Sequence, residues 1–221
     1  MRKTEMIRPL LYTYRRCPYA MRARMALLEA DVAFDAYEIV LRDKPADMLA
    51  ASPKGTVPVM VLPSGEVIEE SLDIMRWAFE QHNDAHWWKE SQTPRNQALV
   101  ALNDGAFKKQ LDTYKYPERF APGESVRQRD MAIGDFFLQL EQRLSAQKYL
   151  GGDLACAADL AIFPFVRQFR AVNEKWFDAQ ALPATQAWLH AWLQSELFER
   201  CMKKLPSNER CAFNAPYPAN P

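Results

Sequence analysis

Arg15-Arg16-Cys17-Pro18-Tyr19-Ala20 carries more structural information than any other stretch of the chain. An apolar, strand-like run (Leu10, Leu11, Tyr12, Tyr14) precedes it, and the spacing after it predicts a helix to about Ala30. Pro18 suits the first turn of that helix, where its missing N–H costs nothing. Cys17 then falls where a helix presents unpaired N–H groups and the positive end of its dipole. Arg15 and Arg16 add two cations. Each of these favours the thiolate, the nucleophilic form of cysteine. Ala20 stands where a C-x-x-C pair would carry its second sulfur. A reactive Cys17 therefore exchanges with an external thiol. The other reading of Cys17 is a small buried side chain, which most free cysteines are.

A length of 221 residues suits one large domain or two smaller ones. With 48% hydrophobic and 12% aromatic residues, the chain can build a full core and is not disordered. Lys+Arg and Asp+Glu balance at 28 each, so no net field recruits nucleic acid or an anionic membrane. The opening Met1-Arg2-Lys3-Thr4-Glu5 lacks the apolar segment of a signal peptide, and no long apolar span is found beyond it. Four scattered cysteines (17, 156, 201, 211) fit free thiols in a reducing compartment. A cytoplasmic protein is expected.

After the Cys17 helix, Phe34 to Leu41 reads as a second strand and Asp43 to Ala51 as a short helix. Val59-Met60-Val61-Leu62, a turn at Pro63-Ser64-Gly65, and Glu66-Val67-Ile68-Glu69 predict a hairpin. Leu72, Met75, Trp77 and Phe79 then mark a buried helix from Ser71 to about His82. The order βαβ–α–ββα predicts an α/β layer over residues 6–83. Residues 84–95 read as a linker. Residues 96–221 carry helical spacing without strand signals, over 96–116, 124–147, 157–175 and 183–204, ending in an extended tail.

Four pieces in this order resemble the glutathione transferase superfamily in its cysteine-type, omega-like or two-domain glutaredoxin-like branch. They are Arg16-Cys17-Pro18-Tyr19-Ala20, Asp43-Lys44-Pro45, Thr56-Val57-Pro58-Val59 and Glu70-Ser71. The resemblance implies a thioredoxin-like N-terminal domain followed by an all-α domain, and glutathione as co-substrate. It also implies a cis bond before Pro58, which would turn the N–H and C=O of Val57 toward the cysteine residue of an extended peptide. Glu70 would accept the γ-glutamyl ammonium, and Ser71, at a helix start, would hold the neighbouring carboxylate. Lys44 would reach the carboxylate at the peptide's other end. By the same resemblance, Tyr19, Phe107, Lys108 and Tyr114 are candidates for the second-substrate wall. Phe107–Leu111–Tyr114 is also a helical stripe, and for Leu111 bundle core is the better reading.

Gly152 to Asp159 resembles the family's folding motif, with Cys156 where a Ser or Thr normally caps the helix. A thiol is a weaker acceptor than a hydroxyl, so Asp159 is expected to carry most of the capping box. His82 and His86, with Asp84 between them, read as a surface helix end rather than a metal pair, so no metal is expected.

The expected chemistry is thiol transfer or glutathione-dependent reduction through a Cys17–glutathione mixed disulfide, on a small electrophilic or disulfide substrate. Conjugation or isomerisation of small electrophiles is the alternative, with Tyr12, Thr13 or Tyr14 supplying a hydroxyl. A non-catalytic, transferase-like binding protein is a further one. The resemblance implies a homodimer.

Overall fold

Leu10 and Leu11 begin the central strand, and the chain is built around it. The computed structural model describes residues 8–81 and 85–213. Strand β1 (Leu10–Thr13) leads through α1 (Pro18–Glu29) to β2 (Asp35–Glu38), which pairs with β1 in parallel. A parallel return needs such a crossover helix. Helix α2 (Ala46–Ala51) comes next, then the antiparallel pair β3 (Val59–Val61) and β4 (Val67–Ile68), then α3 (Ser71–Glu80). Pro18 stands in the first turn of α1, as its fixed φ and missing N–H require. Ala20, Met21, Ala23, Met25, Ala26 and Leu27 bury that helix almost completely. Helix α3 packs against it.

A fifth strand completes the sheet. β5 (Arg210–Ala212) runs antiparallel beside β2, giving the order β4-β3-β1-β2-β5. The tail therefore holds a strand where only an extended segment is expected from sequence. Its partners supply the reason. The Arg210 guanidinium makes two bonds to Asp35 Oδ2, at 2.8 and 2.7 Å. Phe213 stacks on Phe34 with ring centroids 5.1 Å apart.

The chain forms two compact units, one of Met1–Asn83 with Leu197–Pro221, the other of Asp84–Glu196. Two sequence expectations change. Residues 197–213, assigned by sequence to the helical domain, belong with the sheet. Residues 84–95, read as linker, contain helix α4 (His86–Ser91). His82 and Asp84 lie outside the described residues.

The helical unit continues with α5 (Pro94–Leu102), α6 (Lys108–Lys115), α7 (Glu124–Ala132), α8 (Leu138–Ala146), α9 (Ala157–Arg170), α10 (Glu174–Asp178) and α11 (Pro183–Leu193). Helix α12 (Glu196–Cys201) comes after it. Two π-helical segments interrupt the expected long helices. Asn103–Phe107 lies between α5 and α6, and Ile133–Phe137 lies between α7 and α8. A π segment adds a residue to the turn and shifts the phase of the next helix. Here the two segments meet: Phe107 stacks on Phe136 at 4.0 Å and 6°. Phe137, Phe169 and Phe177 complete an aromatic core.

At the start of α9 both halves of the capping box are present, so Cys156 and Asp159 cap reciprocally. The Asp159 carboxylate, fully buried, accepts from Cys156 N at 3.0 Å, Leu150 N at 3.0 Å and Trp188 Nε1 at 2.8 Å. Asn96 spans the same corner, donating to Leu150 O and accepting from Arg143 at 2.6 Å.

Candidate active site

Cys17 is the N-cap residue of α1, with extended backbone (φ −74°, ψ 123°) and Pro18 next to it. The loop behind it is tightly tied. Cys17 N donates to Tyr14 O at 3.0 Å, and Cys17 O accepts from Met21 N at 2.9 Å. The thiol is half-buried, and its Sγ lies 3.7 Å from the carbonyl oxygen of Val57. The Val57–Pro58 bond is cis, as the resemblance implies. The first turn of α1 holds no acidic residue.

Three hydroxyl-bearing residues, Tyr12, Thr13 and Tyr14, precede this loop in the chain. Thr13 Oγ1 is buried and accepts from Arg24 at 2.5 Å. The Tyr14 hydroxyl accepts from Arg16 at 2.8 Å. Tyr12 is buried beside Ile39, Met48 and Val59. Burial, helped by Asp47 and Tyr37, pushes its phenol above the usual tyrosine range.

Residues 52–58 join most of the candidate groups. Val57 meets Cys17. Gly55, at φ +62°, has the Lys44 ammonium 3.4 Å from where a Cβ would stand. Lys54 Nζ pairs with Glu70 Oε1 at 2.9 Å and approaches Glu69 Oε2 at 3.6 Å. Ser52 Oγ donates to Glu69 Oε1 at 2.5 Å. That bond, with Lys54 adding to it, holds Glu69 below the ordinary carboxylate range. Glu70 is the N-cap residue of α3, and Ser71, buried, is its first residue. Sequence reasoning does not single out Lys54, because a lysine in a Ser-Pro-Lys-Gly turn reads as a solvated charge. The signal that could have found it is the acidic pair Glu69-Glu70 ahead of α3.

Tyr19 is half-buried, with the Arg22 guanidinium 5.4 Å from its ring centroid. In the helical unit two of the wall candidates are core. Phe107 is 0% exposed inside the aromatic cluster. Tyr114 packs on Phe169 at 5.0 Å, and burial raises its phenol pKa. Both rings are buried, as is Leu111 on the same stripe. Lys108 forms an i,i+4 ion pair with Asp112.

A half-buried cysteine at a helix N-cap stands against a cis-proline segment on a thioredoxin-like sheet. Residues 11–86 match the family model "Glutathione S-transferase, N-terminal domain", and residues 124–191 match "Glutathione S-transferase, C-terminal domain". The chain belongs to the glutathione transferase superfamily. Mouse glutathione S-transferase omega-1 is 24% identical over 188 residues, 83% of this chain and 76% of that protein. A probable maleylacetoacetate isomerase of Caenorhabditis elegans is 27% identical over 175 residues, 75% of this chain and 81% of its own. Among solved structures, a Pseudomonas putida glutathione transferase with one glutathione disulfide bound per subunit has a TM-score of 0.76. It is 16% identical, covering 91% of this chain and 94% of its own. No helix among the described residues is long and apolar enough to cross a membrane.

Proposed function

We propose that the protein is a glutathione-dependent thiol transferase or reductase that works through a mixed disulfide between Cys17 and glutathione. The observation carrying this reading is the Cys17 thiol lying 3.7 Å from the Val57 carbonyl on the cis-proline segment. A peptide running antiparallel to that segment would pair with Val57 and bring its own sulfur to Cys17. Glu70 and Ser71 would take its α-amino acid end, and Lys44 its far carboxylate. Lys54 stands beside Glu70 and would loosen from it as the ammonium arrives.

The chemistry is set by Ala20. The Cys17 thiolate attacks the glutathionyl sulfur of a mixed disulfide, the S–S bond breaks, and the other thiol leaves after taking a proton. With no sulfur at position 20, a second glutathione thiolate attacks the Cys17-bound sulfur. This releases glutathione disulfide and returns the Cys17 thiolate.

Conjugation or isomerisation is the second reading, favoured by the similarity to the worm isomerase. It needs a free hydroxyl near the bound thiol. Tyr12 counts against it by its burial, whereas Thr13 and Tyr14 accept from Arg24 and Arg16 and keep their O–H protons to donate.

The test is intact mass after incubation with oxidised glutathione, wild type against Cys17→Ser. One glutathione adduct is expected on the wild type, removable by reduced glutathione and absent from the variant. An adduct that survives the substitution, or efficient arene conjugation by Cys17→Ser, moves the assignment to the second reading.

A further inference from the structure

The loop carrying Cys17 is gripped from both sides by groups that are themselves fastened to the C-terminal segment. Arg24 is 1% exposed on α1, and it reaches three separate oxygens. Its NH1 donates to Thr13 Oγ1 at 2.5 Å, its NH2 to Arg15 O at 2.7 Å, and its Nε to Cys201 O at 3.1 Å. On the other side, Arg15 N donates to Glu38 Oε1 at 2.7 Å. The Glu38 carbonyl accepts in turn from Asn208 N at 2.9 Å, and Glu38 bridges to Ser207. Both the N–H and the carbonyl of Arg15 are therefore held, two residues ahead of Cys17.

A guanidinium is suited to such a task. Its planar fork can hold three oxygens at fixed angles, which a lysine ammonium on a flexible stem cannot. A buried cation is costly unless its donors are satisfied, so its placement against neutral oxygens marks a position under strong demand.

We infer that Arg24 and Glu38 are positioning residues that hold Cys17 at the N-terminus of α1, with residues 201–208 as their anchor. This rests on Cys17 being the nucleophile. With the clamp in place, the sulfur stays where the unpaired N–H groups of the helix favour its ionised form. When the clamp loosens, the sulfur samples positions away from the helix end and ionises at higher pH.

Other charged and titratable groups lie on the elements around this thiol. Tyr14, Arg15 and Arg16 share its loop, and Tyr19 and Arg22 share its helix. On α3, which packs against α1, Asp73 and Glu80 flank Arg76 in ion pairs. The variants are chosen so that charge and position act differently. Arg24→Lys keeps the charge and loses the fork. Glu38→Ala removes an anion, which by charge alone would lower the ionisation midpoint of Cys17, whereas release of Arg15 would raise it.

The experiment is iodoacetamide alkylation of the full chain against pH, with Cys17 read by peptide mass and folding checked by circular dichroism. Both variants are expected to shift the Cys17 midpoint upward by roughly 0.3–0.7 pH unit. A folded variant of either kind whose midpoint equals the wild type, or moves down, overturns the inference. If Arg24→Lys does not fold, Glu38→Ala decides alone. Absence of a glutathione adduct on the wild type would defeat thiol transfer while leaving this profile readable, so the two failures are distinct.

Discussion

Cys17 and Cys156 occupy the same place in the grammar of a helix, each the N-cap residue of a buried helix in its own unit. Their surroundings are opposite. Cys17 is half-buried, has arginines at 15 and 16, and has no carboxylate in the first turn after it. Cys156 is fully buried, and three residues on, the Asp159 carboxylate folds back onto its N–H at 3.0 Å. Burial, then Asp159, pushes the Cys156 thiol up to about 12. The positive end of a helix dipole does not by itself make a thiolate. Access to water and the sign of the nearest charge decide, and they set the half-buried N-cap cysteine apart from the one locked inside a capping box.

The contrast breaks most visibly under alkylation. At pH 8 a thiol with a pKa of about 12 is ionised to only about one part in 10⁴. Cys17 is therefore expected to label at least about 100-fold faster than Cys156 in the folded protein, read by peptide mass. Comparable rates would erase the distinction. Next in size is Asp159→Ala, which strips acceptors from Leu150 N, Cys156 N and Trp188 Nε1. It is expected to cost about 3–5 kcal/mol in chemical denaturation. Glutathione adduct formation at Cys17 should survive wherever the variant remains folded.

Gly151→Ala sharpens the same corner. A Cβ there would stand 2.5 Å from Leu154 O and 3.0 Å from Cys156 Cβ, so backbone must move. A loss of about 1–3 kcal/mol is expected by the same denaturation. The smallest effect is Cys156→Ser, which restores a hydroxyl cap. It should change stability at pH 7 by less than about 1 kcal/mol. It should also flatten the alkaline slope. A thiol whose folded pKa is raised contributes stability that is whole below 9.0 and lost as pH rises toward about 12, so removing it removes that loss.

The Cys17-Pro18 junction, the strand before it and the hairpin around Pro63-Ser64-Gly65 were legible in sequence because local chemistry dictates them. Pro18 is best suited to a first turn, and the run Val59-Met60-Val61, β-branched at either end, favours a strand ahead of a Pro-Ser-Gly turn. β5 was not legible. Arg210, Cys211 and Ala212 show no alternation, and what makes them a strand is Asp35 and Phe34, some 175 residues earlier. Phe107 was ambiguous for a different reason: an apolar stripe with Leu111 and Tyr114 suits a core and a ligand wall alike, and all three side chains are buried. Lys54 and Arg24 were silent because an isolated cation in sequence says nothing of what it will grip. Cys156 and Asp159 were legible as a box, and both halves of it are present.

The return of residues 197–213 to the sheet has a consequence for synthesis. A ribosome delivers β1, α1 and β2 first, yet Arg24 waits for Cys201, and the open edge of β2 waits for Arg210 to Ala212. The whole helical unit is translated in between. The unit begun first is thus finished last, and its edge strand stays available to foreign strands until the chain past Phe213 has emerged.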